Sequence, residues 1–324
     1  MSLAAPPAPT EVAGAAPAPS KKKPAKREQP VGVKKGGWFV RIAIIVIVVI
    51  WLIPTIGVLV TSFRPENLVD TSGWWTALGH PLRAGEWTLD NYRRALDAGG
   101  FSNALLNSLA VTIPSTVMPI TIAAFAAYAF SWMEFRGRYA LFVLIVGLLV
   151  VPLQTALIPI LQLYTRGWVV AGVHIIPDFH LNGTFLGIWL AHTAFGLPLA
   201  VYLLRNYIGS LPSSIVESAR IDGADHFTIF WRLIVPLSVP ALAAFAIFQF
   251  LWVWNDLLVA YVFLGGEPQV RVVTIALAGL VGEHGENWQL LTAAAFLTML
   301  LPLFVFFSLQ RYFVRGLTAG SVKG

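Results

Sequence analysis

Cysteine is absent from the 324 residues. That excludes disulfide frameworks, thiolate metal sites and cysteine nucleophiles. Charge is scarce: 12% of residues are charged, where soluble domains carry about 25%. No Gly-x-x-x-x-Gly-Lys-Ser/Thr run occurs, so the loop that cradles nucleotide phosphates is missing. The histidines (His80, His174, His180, His192, His226 and His284) show no His-Glu-x-x-His or comparable ligand spacing. There is no Gly-x-Ser-x-Gly nucleophile elbow either. The chain is therefore expected to be no enzyme, with no catalytic residue, metal or cofactor of its own.

What is abundant is apolar surface, 57% of residues, the composition of a polytopic membrane protein. Residues 1–36 differ: rich in Ala, Pro and Lys, they cannot bury enough surface to fold and read as a disordered tail. Lys21, Lys22, Lys23, Lys26, Arg27, Lys34, Lys35 and Arg41 stand against Glu28 alone. Directly before an apolar span, such a cluster marks the cytoplasmic side and anionic lipid rather than nucleic acid. The following apolar run is of membrane-spanning length and lacks a small-residue cleavage pattern, so the segment is not expected to be a signal peptide.

A bilayer-crossing helix needs about 20 mostly apolar residues. Six segments qualify: Ile42 to Val60, Ala104 to Phe130, Ala140 to Tyr164, Gly183 to Leu204, Val239 to Phe263 and Leu290 to Gln310. The expected fold class is an all-α membrane protein with six transmembrane helices, residues 37–324, behind the 1–36 tail. Nearly every span contains proline, which membrane helices tolerate. Six spans put both termini on one side, and 16 of the 22 Lys and Arg fall there. Positive residues concentrate on the cytoplasmic side, so both termini are expected in the cytoplasm. The longer connections 64–100, 165–182 and 264–289 then face outward.

One cytoplasmic connection, about 209–238, interrupts the apolar pattern with "ESARIDGADHFTIFWRLIVPLSVP" from Glu217 to Pro240. Ser214 and Glu217 have capping-box spacing. Gly223 is placed to end a first helix with a positive φ. Asp225 can cap a second through Phe227, Phe230 and Trp231, and Pro236 and Pro240 should limit its continuation into the fifth span. The pattern predicts two short helices about a tight turn, lying along the membrane and exposing a charged knob.

The stretch closely resembles the E-A-A-x-x-D-G-A loop of binding-protein-dependent ABC importer permeases, with Glu217, Ala219, Asp222, Gly223, Ala224, Pro236 and Pro240 at matching positions. Ser218 replaces the usual second-position Ala. "NSLAVTIPST" (107–116), "AAYAFSWMEFRGR" (126–138), "VWNDLLVAYVFL" (253–264) and "QRYFVRGLTAGSVKG" (310–324) extend the resemblance from about Trp38 to Gly324. They are similar to the carbohydrate, maltose-type branch, and to the permease of its pair that ends in a Gly-rich tail.

The resemblance implies a type I importer permease fold in a bacterial plasma membrane. It implies a coupling helix at Glu217, Ala219, Arg220, Asp222, Gly223 and Ala224 that docks on an ATPase subunit. It also implies a tail, 311–324, reaching the ATPase pair through Gly316, Thr318, Gly320 and Lys323. A second permease, two ATPase subunits carrying ATP and Mg, and an extracytoplasmic sugar-binding protein are the implied partners. Asp256, the one acid inside an apolar run, and Asn255 beside it are expected to serve structure or gating more than substrate binding. Asn107, Gln154, Gln162 and Gln249 are further polar residues that could face a sugar. An ABC permease for another solute class and an independent secondary transporter are the rival readings.

Overall fold

The computed structural model describes residues 37–170, 173–283 and 287–319. Residues 1–36, Gly320 and Lys323 lie outside the described residues. The chain divides into two compact units, 1–51 and 52–324, each taken by itself.

Helix α1 (Trp38–Ser62) is an almost unbroken Ile/Val/Leu run. β-Branched residues are ordinarily poor helix formers, but in hydrocarbon every backbone group must be satisfied within the segment. In the first unit its large apolar side chains, among them Ile45, Ile47, Ile50 and Trp51, are exposed, as a lipid-facing surface would be.

The second unit opens with a polar collar built from α2 (Glu66–Val69), α3 (Trp75–Gly79) and α4 (Asp90–Asp97). Its centre is Arg64, 1% exposed, paired at 3.1 Å with Glu86, 4% exposed. Arg64 also donates to the Ser72 and Gly73 carbonyls and to Ser72 Oγ. Asn91 Nδ2 ties the carbonyls of Ser62 and Arg64. A buried ion pair persists only when its remaining donors are satisfied, and here they are.

Helix α5 (Phe101–Trp132) runs 32 residues through Pro114 and Pro119, about 48 Å at 1.5 Å per residue. The expected third span is corrected: it is two pieces, α6 (Arg138–Gly147) extended by a 3-10 turn, and α7 (Leu153–Arg166), bent by 106°. Pro152 removes a helical N–H and holds Val151 extended (φ −72°, ψ 117°), which breaks the run. A short antiparallel hairpin, β1 (Trp168–Val170) with β2 (Val173–Ile176), follows in an otherwise helical fold.

Helix α8 (Phe185–Ile208) is N-capped by Thr184, whose Oγ1 accepts from Gly187 N. Then come α9 (Ser213–Ile221), α10 (His226–Ile229) and, through a π turn at Phe230–Ile234, α11 (Val235–Trp254). The predicted fifth span is corrected at both ends: the helical run is His226–Trp254, and α12 (Leu258–Phe263) is a separate helix. Pro236 does not stop the run. It lacks the N–H that Arg232 O would accept, and the helix widens into the π turn just before it. Last are α13 (Val273–Glu283) and α14 (Trp288–Ala319).

Among the described residues five helices are long and apolar enough to span a membrane, or six if the bent pair is one span. In the second unit α5 packs on α8 and α11, and α11 on α14. Ala123 and Ala127 of α5 and Ala200 of α8 are fully buried. Small residues let membrane helices approach closely, where no hydrophobic drive separates protein from lipid.

Candidate functional site

The connection between α8 and α11 folds as two short helices about Gly223, at the C-terminal end of α5. The capping box expected at Ser214 and Glu217 is not formed. Helix α9 begins at Ser213 behind Pro212, without a side-chain cap. Pro212 sets the entry, and Ser214 falls inside the helix where its hydroxyl cannot act as N-cap.

The C-terminal end of α9 follows the expectation. Gly223 sits at φ +82°, Gly223 N donates to Arg220 O at 3.0 Å, and Ala224 N donates to Ala219 O at 2.9 Å. This pair of bonds is a Schellman closure, which requires a left-handed residue after the C-cap. A Cβ on Gly223 would meet no other atom, so glycine is needed there for its backbone alone. Asp225 Oδ1 accepts from Thr228 N at 2.8 Å, the predicted cap of the second helix. Hydrogen bonds from Thr228 hold the Asp225 carboxyl below the usual carboxylate range.

The turn divides its side chains between core and solvent. Val216, Ile229, Phe230 and Ile234 are buried in one cluster with Ala127 and Tyr128 of α5 and Leu204 and Ile208 of α8; Ala219 and Ala224 pack against it half-buried. Glu217, Arg220 and Asp222 are exposed. Ile221, 85% exposed between Arg220 and Asp222, was not singled out from sequence. Its signal was an apolar residue set between two charges directly before the tight turn.

Several contacts join this knob to α5. Arg220 Nη2 donates to Trp132 O at 3.0 Å. Tyr128 Oη and His226 Nδ1 are 2.9 Å apart. Phe125 stacks on Phe230 with ring centroids 4.5 Å apart. Neither Tyr128 nor His226 was a sequence candidate, because 98 residues separate them. A push on α9 therefore reaches α5 directly, besides the helices it is covalently joined to.

The expected C-terminal contact residues divide: Gly316 and Thr318 fall on α14, which stays helical to Ala319. The backbone there is helix, where the sequence reading had a tail from 311.

Asn255 and Asp256 occupy the break between α11 and α12. Asp256 accepts from Val259 N and Ala260 N, starting α12, and its carbonyl accepts from Thr274 Oγ1 at 2.6 Å. Asn255 donates back to Leu251 O. His192 Nε2 lies 3.8 Å from Asp256 Oδ2, and the His192 ring meets Trp252 edge-on. Gln249, 3% exposed, donates to Ser115 O and lies against Gly196, where a Cβ would come within 2.7 Å of its amide. Asn107 Nδ2 pins the carbonyls of Gln269 and Arg271. These polar groups stitch helices together, whereas Gln154 and Gln162 on α7 are exposed. Among the described residues no three His, Asp or Glu converge as a metal cluster.

Residues 100–319 match the family described as "Binding-protein-dependent transport system inner membrane component". The osmoprotective compounds uptake permease protein GgtD of Synechocystis is 56% identical over 284 residues, 88% of this chain and 91% of the relative. The alpha-glucoside transport system permease protein AglG of Rhizobium meliloti is 44% identical, covering 89% and 97% of the two chains. A solved chain of a bacterial ABC transporter involved in import of the acidic polysaccharide alginate superposes with TM-score 0.67 at 21% identity, over 85% and 95% of the two chains. That last likeness concerns the fold. With a multi-pass helical fold and this turn in place, the chain belongs to the family of inner-membrane components of binding-protein-dependent transport systems.

Proposed function

We propose that this chain is the permease subunit of an ATP-driven importer of sugars, and that residues 214–235 are where an ATPase subunit docks. The observation that carries the reading is the knob itself: a Schellman-closed turn exposing Glu217, Arg220, Ile221 and Asp222 while anchored on α5. The chain has no phosphate loop, so the energy source sits on another subunit. A second permease completes the path, two ATPase subunits hold ATP and Mg, and an extracytoplasmic binding protein delivers the solute. The distribution of Lys and Arg supports placing the knob and both termini in the cytoplasm. ATP closure can drive transport only if the closed ATPase pair fits one permease state better than the other. Glu217 offers a charge for a basic partner, Gly223 shapes the knob, and Gly316, Thr318, Gly320 and Lys323 add a second contact. Asn255 and Asp256 act in gating by holding the start of α12.

Alpha-glucosides are the favoured substrate class, by likeness to the relative at 44% identity named for them. An osmoprotective compound is the second reading, by likeness to the relative at 56% identity named for such compounds. The test is the purified complex in liposomes with its binding protein, assayed for ATPase stimulation by alpha-glucosides and by osmoprotectants. Stimulation by an alpha-glucoside is expected. Solute uptake by this chain alone, without ATP or partners, would overturn the permease assignment.

A further inference from the structure

Two half-buried arginines meet where α6 begins and α8 ends. Arg138 starts α6, and Arg205 lies in the last turn of α8. The end of α5 touches both: Ser131 Oγ donates to Arg205 O at 3.4 Å, and Arg138 Nη1 donates to Met133 O at 3.0 Å. Phe142 follows Arg138 by one turn, so the two share a face of α6. The Arg205 guanidinium lies over the Phe142 ring, 4.9 Å from its centroid. That ring is held in turn by the buried Phe130, 5.6 Å away. Helical side chains lean toward the N-terminus of their helix. Arg205 therefore reaches back along the apolar run of α8 rather than out past its end.

Neither cation is neutralised by the protein. Among the described residues no ion pair includes Arg138 or Arg205, and Glu134, the acid of the α5–α6 turn, is exposed. Arg205 Nη1 also donates to Asn206 Oδ1, at a loose 3.4 Å. A guanidinium carries five N–H donors, so most of these donors are unspent. Trp132 Nε1, at the end of α5, is a further buried donor without a partner. A cation at the edge of hydrocarbon is costly unless it finds a counter-charge. At that depth the abundant anion is the phosphate of a phospholipid. Phe135, Tyr139 and Leu141, beside Arg138 in the chain, are exposed and offer apolar surface to acyl chains.

We propose that Arg138 and Arg205 together bind the phosphate of one anionic phospholipid. Forked guanidiniums match phosphate oxygens, and stacking on Phe142 sets the plane of one fork before the lipid arrives. A zwitterionic lipid would bring its own ammonium toward two arginines, so an anionic headgroup is favoured. The site requires only that α6 and α8 enter the bilayer. It stands whichever solute the chain carries.

The full chain, with the subunits that copurify, is titrated with phosphatidylglycerol in detergent, and bound lipids are counted by native mass spectrometry. The tightest lipid is expected to bind about ten- to thirtyfold more weakly to Arg138→Gln with Arg205→Gln. Phosphatidylcholine should bind wild type and variant alike. Phe142→Leu keeps both charges but removes the platform, and should lose about two- to fivefold. An unchanged melting temperature in lipid-free detergent shows that the variants are folded. Equal phosphatidylglycerol affinity in wild type and double variant would overturn the site. Should the double variant fail to assemble, Arg205→Lys with its retained charge and lost fork takes its place. Wild-type affinity in both Arg205→Lys and Phe142→Leu would then overturn the site equally. If inorganic phosphate alone raises the melting temperature of wild type as far as the lipid does, and not that of the variant, the guest is a free anion and the lipid assignment falls. Loss of a copurifying subunit from the double variant, with lipid affinity unchanged, would make the pair a protein contact and also overturn it.

Discussion

The two ends of α5 handle charge in opposite ways. At its N-terminal end the collar buries Arg64 and Glu86 together and satisfies them with carbonyls and hydroxyls of the same segment. At its C-terminal end the knob leaves Glu217 and Asp222 in solvent and spends its hydrogen bonds on backbone closure. The difference teaches which charges hold the fold and which are offered outward. A buried ion that loses its partner is stranded in a poor dielectric, whereas an exposed one is simply rehydrated.

Mutations can break this contrast, and the expected effects on stability descend from one end to the other. Arg64→Ala strands Glu86 and is expected to cost about 3–5 kcal/mol, seen as a lowered melting temperature in detergent and reduced membrane yield. Arg64→Met with Glu86→Leu should recover much of that loss. If the single variant melts like wild type, the collar is not the structural centre its geometry implies.

Gly223→Val forces a β-branched residue into the left-handed region and should cost about 1–2 kcal/mol, confined to the knob. Because no atom lies near the missing Cβ, Gly223→Asn should be tolerated far better. Co-purification of the ATPase subunit checks both, and equal loss in the two would point to steric rather than backbone requirements.

Tyr128→Phe removes the bond to His226 and should cost about 0.5–1.5 kcal/mol. His226 is exposed and can turn to water, so the lower figure is expected. The informative readout is the ATP hydrolysed per solute imported, which should rise if this contact carries force into α5. An unchanged ratio would assign the contact to packing alone.

Glu217→Lys should leave stability within about 0.5 kcal/mol, as surface substitutions do, yet abolish ATPase docking and uptake. Wild-type uptake in this variant would remove Glu217 from the coupling surface. The smallest effect concerns acidity. The depressed Asp225 pKa means its cap is complete above the usual carboxylate range and is lost as pH falls through the depressed value. Amide signals of Thr228 in an acid titration should show this, and Asp225→Asn should flatten the response.

Much of the knob was legible in the chain because its signals are local. Gly223 and Asp225 act within a few residues of themselves, and a positive φ or an N-cap needs no distant partner. Legibility failed where two local rules competed. Ser214 and Glu217 had the right spacing for a box, but Pro212 took the N-cap position and the helix starts at Ser213. Proline was misjudged in both directions: Pro152 broke a span that hydropathy made continuous, while Pro236 was absorbed by a π turn. Hydropathy measures whether a segment prefers lipid and carries no information on whether it is straight.

The sequence by itself determined that the chain lives in a membrane, that it carries no phosphate loop, and that one turn sets charges between apolar spans. Those follow from composition, from a missing motif and from neighbouring residues. Only the tertiary structure decided that Tyr128 meets His226, that Arg64 is buried against Glu86, and that Asn107, a possible sugar contact in sequence, pins a backbone 162 and 164 residues away. Each depends on which helix faces which, and in lipid that choice rests on close packing and hydrogen bonding between helices rather than on hydrophobicity, which the spans all share.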